Sequence, residues 1–593
     1  MNPKKYLISA KLPKLNIDPK TSFLLSRSLA TYGKKELNTL NHPIFTHPWD
    51  KYSNLKKDSK KIFTLYENCL TILSSNLNKH FKKNYSKRFW RILIGYWLHV
   101  IICIYYEKKI LIKKNLKNKK IYFVKYKLNK KNYIAKDGLD FVIKTSTDQW
   151  QYYFFLSLVQ DTSYKKKIIF KKKNQFLNCP KDKSFKKPNN SIILALLKIF
   201  SFFKKRQKIF FFKTYVGRNR RLILSLKNFD WLPNIFKNNT SAPKYNLKDR
   251  LNFLSNIDVK NNEYKKIFSL LIHNLPLSFF EGFNQVGKDI KDSFLPESPK
   301  VIFSSNIIQG SSYEARYVAE MVEKNSKLIL GQHGGNYNTL HNFFPQEHEI
   351  KCSDFFISWG WKSKNKKVKN FGFFLDEKKI NKDYKNKKIN ILLVTNQMNR
   401  FVTSLSAGIH YPTFKYNHYY KFFPLFLKKI DKTIAEKITI RSVEKPAHIP
   451  IPSWNFQDFI LEQFPKVLFS YKKGKVYNLI NESKLVINSI FMTIFCECMA
   501  ANKPNILVQF STDNFKSYNL ETQKILNELK KVHIFFPKIS SATDFINRNI
   551  NNIDGWWYNK KTQSVIRKFN RIYAKKNTFL VDDINNLIKK IYD

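Results

Sequence analysis

Glycine is scarce in this chain, 15 of 593 residues, against an average near 7%. Neither a G-x-G-x-x-G fingerprint nor a Walker A sequence occurs, which removes dinucleotide-dependent dehydrogenases and P-loop enzymes. The absence of G-x-S-x-G and H-E-x-x-H likewise removes α/β-hydrolases and zincins. There is no Asp-x-Asp pair, so a transferase that clamps its diphosphate through a divalent ion lacks its usual ligands. A metal-free site of backbone amides, Arg and His is the consistent alternative. The six cysteines (Cys69, Cys103, Cys179, Cys352, Cys496, Cys498) show no C-x-x-C spacing, which indicates neither a zinc site nor a disulfide framework.

Acidic residues are also few: 43 Asp plus Glu against 107 Lys plus Arg leave a formal charge of +64. Such an excess ordinarily points to nucleic acid or an anionic membrane. Here the lysines are spread along the whole chain among many Asn, Ile and Phe, as expected when an A/T-rich genome biases the codons. No nucleic-acid partner is therefore expected. The charge that drift leaves unexplained fits a membrane-bound, phosphate-rich acceptor and a peripheral contact with an anionic membrane.

Long hydrophobic runs are missing as well. Phe89 to Tyr106 is broken by Arg91 and His99, and Ile192 to Phe203 carries Lys198, whereas a span needs about 20 predominantly apolar residues. Both read as buried or interfacial helices. No continuous apolar h-region follows the N-terminal Met-Asn-Pro-Lys-Lys, so a cytoplasmic location is expected, at most associated with the inner face of the plasma membrane.

What is present is ample apolar surface: 43% hydrophobic residues, with 52 Phe, 31 Tyr and 10 Trp. That supports real cores, and the length predicts at least two domains. Residues 1–110 read as mainly helical, with helical spacing from Ile62 to Leu77 and again from Trp90. Residues 111–290 read as a lysine-rich, irregular insertion of short strands and loops, with aromatic runs such as Gln151 to Val159. From Val301 the texture changes to a βαβ unit: strand Val301 to Ser305, helix Ser312 to Lys324, strand Lys327 to Gly331. A strand Phe355 to Trp359 follows.

The stretch Lys378 to Lys388 reads as an interdomain linker, dividing the chain into 1–388 and 389–593. Beyond it, strands are predicted at Ile389 to Thr395, Ile438 to Val443, Leu485 to Ser489, Ile506 to Phe510 and Val532 to Phe536. Helices at Thr493 to Ala501 and Leu520 to Lys530 alternate with them. The fold class is therefore α/β, with two doubly wound, Rossmann-like domains.

In such sheets, ligands bind beyond the carboxyl ends of the strands. Gln332-His333-Gly334-Gly335 stands in that position, the glycines allowing close backbone approach and His333 serving as donor or proton relay. Thr493 and Glu497 lie at i and i+4 on the helix after Leu485 to Ser489, where a carboxylate can accept both ribose hydroxyls. Arg400, soon after the strand Ile389 to Thr395, and Arg441, at the end of Ile438 to Val443, are placed to bind a diphosphate with their planar forks. For each of these the bland alternative, a solvated cation or an ordinary turn, stays open at this level.

Three segments together resemble a family of transferases found in lipopolysaccharide and other surface-polysaccharide gene clusters. The first is Ser75 to His80 continuing through Ser86 to Leu98. The second is Gly331 to Tyr337, then Glu347-His348-Glu349, Ser353-Asp354 and Ser358-Trp359-Gly360-Trp361. The third is Thr493 to Pro504 with Trp556-Trp557. The chain departs from the family at Ile490-Phe491-Met492, where a small polar run is usual, and at Asn338, where glycine is usual.

The resemblance implies a GT-B-like transferase of polysaccharide assembly; the reading adopted with it is a glycosyltransferase using a nucleotide sugar as co-substrate, with no cofactor and, given the missing Asp-x-Asp pair, no metal. The C-terminal domain would bind the donor, and the N-terminal domain a lipid-linked or polysaccharide acceptor. On that reading Glu497 holds the ribose, and Arg400, Arg441 and Thr493 the diphosphate. His333, flanked by Gln332 and the Gly334 and Gly335 amides, stabilises the leaving phosphate, and Glu347 or Glu349 is the general base. Two alternatives stay open: transfer of an alditol phosphate from a CDP-activated donor, and a non-enzymatic protein that binds nucleic acid or anionic lipid.

Overall fold

The structure is a computed structural model. It describes residues 4–592 except 13–17, 34–37, 117–119, 161–166, 181–201, 231–233, 235, 237–242, 310, 375–379, 381–388, 396–397, 404–410, 442–453, 471–475 and 510–511.

Short strands β1 (Tyr6–Ile8) and β2 (Ser22–Leu24) precede two long helices, α1 (Tyr52–Phe81) and α2 (Lys87–Asn115). As the spacing from Ile62 predicts, α1 buries Ile62, Tyr66, Cys69, Leu70, Leu73 and Leu77 along one stripe. Asn78 holds the turn into α2: its side-chain Oδ1 accepts from the Trp90 indole at 2.9 Å and the Tyr85 N–H at 3.2 Å. By length and composition α2 is apolar enough to cross a membrane, but 89% of its most apolar window is buried inside the protein. Arg91, within that helix, makes two 2.8 Å bonds to Glu67, and His99 stacks on Phe344. The helix is part of a core.

Residues 111–290 hold regular structure where an irregular insertion is predicted. β3 (Ile121–Leu128) and β4 (Ile168–Leu177) join the first two strands in a parallel sheet ordered β2-β1-β3-β4. The aromatic run Gln151 to Val159 is not a strand but most of helix α3 (Asp148–Gln160). Every residue from Trp150 to Leu156 is buried, and a segment covered on all sides carries no period to separate helix from strand. The run Ile192 to Phe203 lies almost entirely outside the described residues.

A second parallel sheet starts with β5 (Ile209–Phe212), which is followed by α4 (Arg218–Lys227). It continues as β6 (Val301–Ser304), α5 (Ser312–Glu323), β7 (Lys327–Gly331), α6 (Phe344–Cys352), β8 (Phe355–Ile357) and β9 (Val368–Lys369). Spatial order follows chain order, β5-β6-β7-β8-β9, and the predicted βαβ unit is its centre. The N-terminal half therefore contains two sheets where one was expected.

The proposed linker at 378–388 lies, apart from Ile380, outside the described residues. Directly after it β10 (Ile389–Val394) opens a third parallel sheet with β11 (Ile438–Arg441), β12 (Leu468–Ser470), β13 (Ser483–Asn488), β14 (Asn505–Val508) and β15 (Phe535–Phe536). Its order is β12-β11-β10-β13-β14-β15. Five of these strands are foreseen by their apolar runs, whereas β12, a three-residue edge strand exposing Leu468, is not. Helices α7 (Thr493–Ala500) and α8 (Leu520–Lys531) belong to this sheet, and the last helix, α9 (Leu580–Tyr592), returns to pack on β6 and α4. Strand order reverses between β10 and β13, which makes a crevice at their carboxyl ends.

Candidate functional site

Gly331 ends β7, and the chain turns at the carboxyl edge of the second sheet. Gln332, 1% exposed, uses its side chain to shape this turn. Its Oε1 accepts from the Trp359 N–H at 3.0 Å and the Trp361 indole at 2.8 Å, while Nε2 donates to the Gly334 carbonyl at 2.8 Å. Gln332 thus braces the loop from behind instead of touching a donor, and this explains why Trp359 and Trp361 accompany the loop in the sequence.

The loop is seated on the other half of the molecule. A Cβ on Gly335 would lie 2.5 Å from the Met492 carbonyl carbon and 2.7 Å from the Thr493 nitrogen, so only glycine lets the two backbones meet. The Gly335 N–H donates to Thr493 Oγ1 at 3.1 Å. Both groups were expected to face a diphosphate; in this arrangement they satisfy each other. Gly334 is less confined, with its nearest Cβ neighbour 3.3 Å away. Asn338, standing where glycine is usual, has φ 55°, the left-handed region that Asn tolerates better than most residues.

His333 has a side chain 20% exposed. Its Nδ1 lies 3.1 Å from the Tyr337 hydroxyl, which donates to Glu349 Oε2 at 2.8 Å. Glu349, on α6, is fully buried, and the Gln309 amide donates to its other oxygen. Burial pushes the Glu349 carboxyl up to about 8, although both hydrogen bonds oppose it, and burial lowers His333 to about 4. The 4.0 Å approach of His333 to Glu349 is therefore no ion pair near neutral pH, because the imidazole is uncharged and the carboxyl is mostly protonated. What results is a buried acid linked through a phenol to one partly exposed imidazole.

Glu347, the other candidate base, points elsewhere. Two residues along a helix turn the side chain by about 200°, and Glu347 stands near Lys351 and Glu67 on the α1 side. Burial raises its pKa, with Lys351 opposing and Glu67 adding to the shift.

Across the interface, Glu497 on α7 stands within electrostatic reach of Arg441 at the end of β11. Glu497 is 6% exposed and accepts from the Tyr477 hydroxyl at 2.7 Å. Burial lowers the Arg441 pKa, and the charge of Glu497 works against that shift. Both residues stand at the carboxyl edge of the third sheet, around its switch point.

Arg400 does not join them. It is 3% exposed, and its guanidinium pairs with Asp148 at the start of α3 in the N-terminal half. It is a strut between the two halves, unavailable to a phosphate, because a buried carboxylate already holds it.

Several residues at the site escape sequence reasoning. Tyr215 lies beside His333, ring centroids 6.0 Å apart, in the left-handed region at φ 59°, a costly place for a bulky residue. Asn306 donates to its hydroxyl at 2.9 Å. Only the loop ends of β5 and β6 hinted at these positions. Tyr337 stood inside the second motif, and its role needed the fold. Among the described residues no group of three or more His, Cys, Asp or Glu side chains is arranged to hold a metal.

The motif blocks meet in space. Arg88 of the first reaches Asp354 of the second with two bonds, 2.7 and 3.2 Å, and Gly335 of the second abuts Thr493 of the third. A match over residues 10–588 places the chain in the LIC12162 transferase family, to which it belongs. No curated protein matches it. Among solved structures, the wall teichoic acid polymerase TagF is similar at 11% identity and a TM-score of 0.29, covering 50% of this chain and 74% of its own. Anabaena HepE in complex with UDP and glucose gives 9% and 0.34, covering 65% and 99%. A glycosyltransferase from Rickettsia africae gives 9% and 0.30, covering 80% and 99%. Overlaps this loose fix neither the fold nor the activity.

Proposed function

We propose that this transferase is a GT-B-like glycosyltransferase that moves a sugar from a nucleotide-sugar donor to a lipid-linked or polysaccharide acceptor of the lipopolysaccharide or O-antigen type. It would work at the cytoplasmic side and without a metal. The observation that carries the reading is the seating of the His333 loop on the start of α7, beside Glu497 and within electrostatic reach of Arg441 at the carboxyl edge of the third sheet. A nucleotide laid along that edge meets groups of the right chemistry.

Glu497, whose Oε1 is held by Tyr477, offers carboxylate lone pairs to the two ribose hydroxyls. Arg441 provides a bidentate fork for the diphosphate. His333, neutral near pH 7, presents its partly exposed imidazole beside the charge that develops on the leaving phosphate and serves there as a proton relay, in a site partly closed to water. Glu349 is too deeply buried to meet a substrate and acts through Tyr337 on His333, holding a proton and orienting the ring.

Thermal stabilisation by UDP-, GDP-, dTDP-, CMP- and CDP-linked donors identifies the nucleotide, since a ligand of the native state raises the melting temperature. Transfer with that donor should fall at least about a hundredfold in His333→Ala and in Glu497→Ala, as for loss of a principal transition-state contact. Near-wild-type turnover in both variants rejects the site. The mass gained by the product separates a sugar from an alditol phosphate.

A further inference from the structure

The face away from the cleft has its own chemistry. A cavity of about 530 Å³ opens at the amino edge of the second sheet, between α4 and α9. Arg206, Lys208, Lys227 and Lys589 line it, and no carboxylate does. Beside it α4 is turned outward: Leu222, Leu226 and Phe229, at i, i+4 and i+7, are 59%, 62% and 80% exposed. Phe202 and Phe203 stand in the open at 54% and 64%.

This is not the scatter of single apolar residues that every surface shows. Leu222 and Leu226, one turn apart, share a helical stripe, and on the opposite side α4 buries Leu224. Phe229 sits just past the helix at φ 53°, a strained backbone that projects a nearly free aromatic ring. Exposed apolar groups fringed by cations match a bilayer interface, where rings enter the acyl boundary and lysines reach anionic headgroups.

We propose that α4, with Phe229, Phe202 and Phe203, is a membrane-docking surface for anionic lipid. Charge complementarity decides the occupant: of the four cations around the cavity Lys227 is paired with Asp582 at 2.7 Å, while Arg206, Lys208 and Lys589 meet no acid within its lining, and an acidic protein groove would not require the exposed aromatic rings. The surface also suits the reaction proposed above, although it does not depend on it. Ten residues of α4 cover about 15 Å, and the helix starts three residues after Tyr215, the neighbour of His333. A docked bilayer would thus hold a lipid-linked acceptor about one helix length from the imidazole.

The test is co-sedimentation of the full chain with phosphatidylcholine vesicles, with and without phosphatidylglycerol, at physiological and at high salt. Because the whole protein is cationic, charge alone gives binding that salt abolishes, and the apolar stripe gives the part that survives. The triple variant Leu222→Gln, Leu226→Gln, Phe229→Gln should lose that salt-resistant part by about tenfold, with melting temperature unchanged because the side chains are exposed. In a separate Phe229→Trp variant, brominated lipid should quench the added indole. Wild-type partitioning by the triple variant, or an unquenched Trp at position 229, overturns the proposal. So does an oligomer that the triple variant dissociates, which would mean that a second copy covers this face.

Discussion

Glu349 offers the most direct check on the chemistry of the site. Its carboxyl is completely buried, and that burial moves it from 4.5 up to about 8. At 1.36 kcal/mol per pH unit the displacement is worth about 5 kcal/mol. The sign follows from proton counting: between these two values the native protein keeps a proton that the unfolded chain has released, so stability falls as pH rises. The contribution is complete below about 4.5 and is lost as pH climbs through about 8. Glu349→Gln removes the titration while keeping an amide of the same size between Tyr337 and Gln309. Wild-type stability relative to that variant should then decline by about 2–3 kcal/mol from pH 5.5 to 7.5. Other titrating groups are common to both proteins and cancel. Urea unfolding at the two pH values measures the difference, and the infrared band of a protonated carboxyl, present at pH 6 and absent from the variant, identifies its source. A stability difference that does not change with pH, together with no such band, would falsify the picture of a buried neutral acid behind His333.

Gly335→Ala should destabilise the protein by about 1–3 kcal/mol, as overpacking does, and abolish donor-induced stabilisation, because the new methyl must push the start of α7 away; calorimetry with and without donor checks both effects. Arg400→Met leaves the Asp148 carboxylate buried without its partner and should cost about 3–5 kcal/mol, with Asp148→Asn in the same chain restoring most of it. A double-mutant cycle in thermal or urea unfolding reads this coupling. Tyr477→Phe removes one hydrogen bond to Glu497, and donor affinity should fall about tenfold in titration calorimetry while the fold is retained. In contrast, Glu347→Gln should leave donor binding and transfer close to wild type, since that side chain faces α1.

The motif blocks show why the sequence alone was both informative and incomplete. Gln332, Trp359 and Trp361 were visible as one segment, but the hydrogen bonds that make Gln332 a brace join backbone and side chains 27 and 29 residues apart. The first block likewise reads as an apolar helix with two arginines. Only packing shows that Arg91 pairs with Glu67, that Arg88 pairs with Asp354, and that Gly95 is small because a Cβ there would come within 2.5 Å of His348. Arg400 was misplaced for the same reason: proximity to a strand end in the chain does not say which half of the molecule the guanidinium will face.

What the sequence determined by itself was local and periodic. Alternation of buried strand runs with amphipathic helices specified the βαβ unit at Val301 to Gly331 and five of the six strands of the last sheet, because burial pattern and element length are set by neighbouring residues. The Gln332 to Gly335 turn and the Thr493 to Glu497 helix start were legible as strand-end features for the same reason. Tertiary structure decided everything that depends on distant partners. It put β3 and β4, within 111–290, into a parallel sheet with β1, since the partners of those strands lie far away in sequence. It set Gly335 against Thr493 and Glu497 within electrostatic reach of Arg441. It also buried Glu349, and desolvation, a property of the finished fold with no counterpart in residue order, is what makes that carboxyl an acid near neutral pH.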